Sequence, residues 1–141
     1  MSYRSTVIEV HYPRERGTLG LRGQGGPLSW DETMAPTRHD GDISIFEFRL
    51  AEHELVELKI VRNADDWAAG RNFYAHAGDH FTIEPCFDRT TSTVVPMEPI
   101  MHEGLPEPIA MDVLLPPSYG EQDNKRFPVL YVLDGQSLWS F

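Results

Sequence analysis

The chain reads as mainly β: a small antiparallel β-sandwich over residues 1–88, followed over 89–141 by a proline-rich linker and strands of a different texture. Three observations carry that reading. Several short runs alternate apolar and polar residues with period two, Gly, Pro and Asp turn signals separate them, and no convincing amphipathic helix pattern occurs before residue 88. Alternation marks a strand with one face in a core and one in water, and a series of such strands at short intervals predicts two sheets packed face to face.

Taken in order, STVIEVHYP sets Ile8, Val10 and Tyr12 against Val7, Glu9 and His11. GTLGLRG puts Leu19 and Leu21 on one face. In ISIFEFRL, Phe46, Phe48 and Leu50 share a face, with Glu47 and Arg49 opposite. LVELKIVRN sets Val56, Leu58 and Ile60 against Glu57, Lys59 and Val61, and HFTIEP sets Phe81 and Ile83 against Thr82 and Glu84. Past residue 88 the proline-rich TTSTVVPMEPIMHEGLPEP predicts a linker or edge strand, because proline cannot donate to a ladder. IAMDVLLPP is strand-like, YGEQDNKR is a polar loop, and PVLYVLDG is apolar on both faces, as expected of a strand inside a covered parallel sheet.

Composition narrows the partners. The 141 residues carry 22 acids against 12 Lys and Arg, a net charge of -10, and no basic run. Phosphate backbones and anionic membrane surfaces would be repelled, so neither nucleic acid nor membrane is an expected partner. The one cysteine, Cys86, allows no internal disulfide and no zinc signature. The N-terminal MSYRSTVIEVHYP has no apolar signal core, and no stretch nears the length of a membrane span, so the expected location is cytoplasmic.

Two stretches resemble known families. LPPSYGEQDNKRFPVLYVLDGQSLW, from Leu115 to Trp139, resembles the opening of the catalytic domain in α/β-hydrolase esterases related to esterase D and enterochelin esterase, where an "LPP-x-Y" strand, a polar loop and a "PVLY-x-LDG" strand come early. The first half is similar to the starch-binding type of carbohydrate-binding module, an immunoglobulin-like β-sandwich. Trp30 in PLSW matches its "LG-x-W" loop tryptophan, Lys59 in VELKIV its strand lysine, and Trp67 in DDWAAGRN its second tryptophan. Asn72 closes its "W-x4-N" pattern. The resemblance implies that Trp30, Lys59, Trp67 and Asn72 form a sugar site. The pattern departs at Ala68, where an acid often stands, and in the short connection from Lys59 to Trp67. Physical chemistry agrees with the carry-over: a hexose offers a flat apolar CH face rimmed by hydroxyls, which calls for aromatic platforms with a few donors and acceptors around them. Trp30, set in a polar loop beside Asp31 and Glu32, either caps a core or meets such a ligand.

Catalytic chemistry is missing. The esterase family needs a nucleophile elbow, G-x-S-x-G, and the sequence has none. Gly135 and Gln136 fall where the family supplies an oxyanion-hole N–H, which would be half a hole without a nucleophile. No cofactor and no metal is expected. His76 and His80 flank Ala77–Gly78–Asp79, which reads as a hairpin turn, and on strands that spacing does not aim both rings at one ion. The expected protein is therefore a glycan-binding sandwich, residues 1–88, joined to the first strands of an incomplete α/β-hydrolase, residues 89–141. Runner-up readings are an ester hydrolase, after the family the tail resembles, and a structural or dimerisation sandwich with no ligand. The apolar tail is expected to pack on a second copy as a homodimer or stay disordered, and the sandwich to fold without it.

Overall fold

A computed structural model describes residues 1–137. Its strands are β1 (Tyr3–His11), β2 (Leu19–Gln24), β3 (Arg38–Asp40), β4 (Ile43–Ala51), β5 (Leu55–Arg62), β6 (Asp66–Trp67), β7 (Phe73–His76), β8 (His80–Ile83), β9 (Thr93–Pro96) and β10 (Asp112–Leu115). Single 3-10 turns at Arg14–Arg16 and Gly135–Ser137 are the helical elements among the described residues. The chain is mainly β. One sheet has the order β3-β4-β1-β8, and a second has β2-β5-β6 with β7 also on β5.

The alternation in sequence is the alternation of burial. Ile8, Val10, Tyr12, Leu19, Leu21, Phe46, Phe48, Leu50, Val56, Leu58, Ile60 and Ile83 all lie in one apolar cluster between the sheets, and Phe81 packs against it. At about 1.5–3 kcal/mol per fully buried large side chain, this cluster is the main favourable term in folding.

Two expectations of topology fail. β1 pairs with β8 in parallel, Val7 to Val10 facing His80 to Ile83, so the sandwich is not wholly antiparallel. The cause is the Ala77–Asp79 turn, which is not a hairpin. β7 belongs to the second sheet and β8 to the first, so the turn carries the chain across the core. Fully buried Thr6 pins the crossing: its Oγ1 donates to the His76 carbonyl at 2.9 Å and accepts from Gly78 N at 3.2 Å.

The connection from β5 to β6 places Asn63 and Ala64 at φ 51° and 75°. Asn63 belongs there: its Oδ1 accepts from Thr18 N at 3.0 Å. Ala64 is strained, because a Cβ in the left-handed region costs about 1–2 kcal/mol. Ala64→Gly is therefore expected to raise the unfolding free energy by about 0.5–1 kcal/mol after the entropic cost of glycine, read from urea melts.

The outer face of the first sheet carries carboxylates held by partners. His80 Nε2 lies 2.9 Å from Glu9 Oε1, and that bond holds the Glu9 carboxyl below its ordinary value. Ser5 Oγ and Arg38 Nη1 do the same for Glu47, at 2.8 and 3.1 Å. A carboxyl lowered on folding stabilises the fold fully above its unfolded value of 4.5 and loses that contribution as pH falls through the lowered folded value. Thermal melts should therefore show an acid limb below pH 4.5 that Glu47→Gln flattens. A limb of unchanged slope in that variant would show that Glu47 contributes nothing to it.

Beyond residue 88, β9 and β10 form an isolated antiparallel ribbon extended by an Ile100–Ile109 bridge. PVLYVLDG does not form the expected strand. Residues 128–132 have no regular structure, and Val129, Leu130, Tyr131 and Leu133 are at least 74% exposed. A strand apolar on both faces needs paired edges and covering layers, and the described residues supply neither.

The polar loop between these pieces behaves differently: it docks on the sandwich. Glu121 and Gln122 are buried. Glu121 Oε1 accepts from the Tyr12 hydroxyl at 2.7 Å, and its carboxylate accepts from Phe87 N at 2.9 Å and Asp88 N at 3.2 Å. Gln122 Nε2 donates to the carbonyls of Pro85 and His11 at 2.9 and 3.2 Å. Arg16 binds Asp123 and the Gly120 carbonyl, Asn124 binds Asp42, and Lys125 pairs with Glu84. Residues 120–125 therefore dock on the sandwich from beyond residue 88. Burial, then the Glu121 carboxylate, push the Tyr12 phenol well above its ordinary value, so it stays a donor. Cys86 is half-buried, and burial followed by the charges of Glu121 and Asp88 raises its thiol pKa.

Candidate functional site

The outer face of the second sheet collects the residues singled out in the sequence. Trp67 of β6 stands opposite Val61 of β5, and Lys59, two residues back on β5, shares that face. β6 and β7 lie end to end along one edge of β5, pairing with Val61–Arg62 and Leu55–Leu58 respectively. Lys59 faces the gap between them. Its ammonium reaches across to the carbonyl of Gly70, whose φ is 91°, at 2.7 Å. The short connection from Lys59 to Trp67 thus follows from a hairpin, and the longer excursion comes after the tryptophan.

Trp30 reaches the same face by a loop. The chain after β2 turns back along its edge: Gly23 N bonds the Ser29 carbonyl, and Leu21 and Met34 exchange both backbone bonds. Ser29 Oγ accepts from the backbone N–H groups of Asp31 and Glu32, which folds the arch tightly. Between these anchors the arch lies over the sheet. A Cβ on Gly20 would fall 2.2 Å from the Thr33 methyl, so only glycine lets the loop come this close. Val61 is fully buried although it points outward. The Thr33 methyl over Gly20 and the Trp67 indole beside it are the groups positioned to roof it.

The two indoles meet. Their ring centroids are 6.1 Å apart with planes tilted by 43°, Trp67 is 41% exposed, and Trp30 is half-buried. Asn72 sits farther along the face, donating from Nδ2 to Glu57 Oε1 at 2.7 Å, and the Tyr74 hydroxyl donates to the same oxygen at 3.2 Å. The Glu57 charge raises the Tyr74 phenol. Trp30, Lys59, Trp67 and Asn72 therefore share one face, with Lys59 and Asn72 already engaged by protein partners.

Sequence reasoning missed three members of this surface: Arg22, Glu57 and Tyr74. The Arg22 guanidinium lies over the Trp67 ring, 5.4 Å from its centroid, and its Nε donates to Thr33 Oγ1 at 2.8 Å. Glu57 and Lys59 alternate with the core residues of β5, so their outward direction was readable, but Arg22 becomes a neighbour only through the β2–β5 register, in which it faces Lys59.

Gly135 and Gln136 lie in the 3-10 turn Gly135–Ser137, remote in sequence from this face. Leu138 and Trp139, the end of the esterase-like stretch, lie outside the described residues. Among the described residues no group of three or more His, Cys, Asp or Glu side chains could hold a metal ion, and no helix is long and apolar enough to cross a membrane. Neither a protein-family model nor a curated protein sequence matches the chain.

Proposed function

We propose that the β-sandwich is a glycan-binding module of the immunoglobulin-like, starch-binding kind, with its ligand lying across the outer face of β2, β5 and β6. The observation that carries this reading is the Trp30–Trp67 pair, two tilted indoles of which neither is closed into the core. Planes at 43° suit the successive rings of a curved α-glucan, each CH face resting on an indole. Lys59 and Asn72 supply donors at the rim, and Glu57 an acceptor. A purely structural sandwich would bury both indoles and tie Lys59 to an acid. Here Trp67 is exposed and Lys59 bonds a backbone carbonyl.

The test is titration calorimetry of the full chain against soluble maltooligosaccharides and related glucans. The expected Kd is roughly 10 μM to 1 mM. No heat with any glucan at millimolar concentration defeats the reading. On the same proposal residues 89–141 are a linker and the opening of an incomplete esterase domain of the α/β-hydrolase type, of which residues 120–125 dock on the sandwich, and catalysis is not assigned to this chain, whose sequence holds no G-x-S-x-G. Association of two chains through the tail is a second reading, favoured by the exposed run from Val129 to Leu133 and checked by light scattering.

A further inference from the structure

Arg22 and Lys59 stand directly opposite one another on neighbouring strands, on the same outward face. Like charges in that relation destabilise a sheet. The chain has 22 acids to relieve 12 cations, yet no carboxylate forms an ion pair with either one among the described residues. Arg22 spends its Nε on Thr33 and lies over the Trp67 ring, and among the described residues neither terminal nitrogen has a protein acceptor. Lys59 spends one proton on Gly70. The nearest acid on their face of β5, Glu57, instead accepts from Asn72 and Tyr74. Asp31 and Glu32, beside Trp30 on the arch, are exposed and likewise pair with neither cation.

We propose that this pair of cations beside the tryptophans is a subsite for an anionic substituent, a carboxylate or phosphate carried on the glycan. The inference rests on the glycan-binding reading and names its ligand class. With Nε tied to Thr33 and the guanidinium carbon over the Trp67 ring, the two terminal nitrogens are the donors left to a ligand, and guanidinium nitrogens form a planar fork matched to two oxygens of a carboxylate or phosphate. Lys59 adds a point charge alongside. An anion between them removes the cross-strand repulsion and takes up donors that a neutral hydroxyl fills less well. The tryptophans hold the sugar ring while the cations read its charge.

The experiment uses the full chain and three probes that share one α-glucan backbone: maltoheptaose, maltoheptaose oxidised at C6 to the uronate, and maltoheptaose phosphorylated at C6. Calorimetry at low and high salt reads each affinity. At low salt at least one anionic probe is expected to bind about tenfold tighter than the neutral one, as one added charge-assisted bond allows. High salt should shrink that advantage, and whichever anionic arm is tighter identifies the substituent. Arg22→Gln should collapse the preference, and Arg22→Lys, which keeps the charge without the fork, should restore it only in part. Near-ultraviolet circular dichroism checks that the variants keep their tryptophan environment. If that environment is lost, Lys59→Gln serves as the second probe of the preference. Equal affinities, or tighter binding of the neutral probe, overturn the inference and leave the glycan reading standing. Silence from all three probes overturns both.

Discussion

Glu121→Ala is expected to cost about 3 kcal/mol or more of folding stability, comparable with breaking a buried ion pair from one side. The carboxylate is 3% exposed and accepts from Tyr12, Phe87 and Asp88, with Arg62 Nη1 at 3.8 Å. Its removal leaves two part-buried backbone N–H groups and a buried phenol without their acceptor. Arg62 would remain held by Asp66 and Asp88 and stacked over Phe87, so the damage should centre on Tyr12 and the chain after β8. Glu121→Gln keeps one acceptor oxygen and loses the charge, so it should fall between wild type and alanine. A truncation after Asp88 removes the whole docked loop and should be destabilised at least as much as Glu121→Ala. Urea midpoints of the four proteins decide the matter: a truncated chain as stable as the full one would show that the sandwich is complete without residues 120–125.

Trp67→Ala should abolish detectable glucan binding and leave the fold in place. Truncating a central aromatic of a recognition site costs at least about 2 kcal/mol, roughly thirtyfold, which carries a weak Kd out of calorimetric range. The fold should survive because β6 is held by its backbone pairing with Val61 and Arg62, by Ala68 N bonding the Ile60 carbonyl at 3.0 Å, and by the Arg62–Asp66 ion pair. Loss of the melting transition together with binding would instead assign Trp67 to the structure, as the roof over Val61. Retained binding with a normal melt would remove it from the site altogether.

The core was legible in the sequence because period two translates directly into burial. The predicted inward sets, from Ile8 and Val10 through Val56, Leu58 and Ile60, lie in the one cluster, with Phe81 packed against it. Strands β3, β6 and β7 were not legible. β3 and β6 are three and two residues long, too short for alternation to show, and β7, FYAH, buries Ala75 alone and so carries no apolar–polar alternation. The parallel β1–β8 pair was hidden for another reason: Ala77–Gly78–Asp79 has the composition of a hairpin, and composition cannot say whether the chain returns to the same sheet. Of the candidate site, the outward direction of Lys59 followed from its strand, and the meeting of Trp30 with Trp67 required the arch over Gly20. Arg22 and Glu121 were invisible for the same cause. Each acquires its role from a partner far away in the chain, Lys59 for one and Tyr12 for the other.

The Tyr12–Glu121 bond spans 109 residues, and that span has a consequence for synthesis. A ribosome delivers the N-terminus first at about 5–20 residues per second, so Tyr12 waits on the order of 5–20 s for its partner. β1 waits as well, since its neighbours β4 and β8 begin at Ile43 and His80. Contacts this distant in sequence also slow the search itself, because the closure entropy of a long loop must be met before the contact rewards it. The nascent sandwich therefore spends its first seconds with the apolar face of β1 open and its polar latch not yet made. Chains stalled in translation before Glu121 should be the ones that chaperones retain and proteases remove.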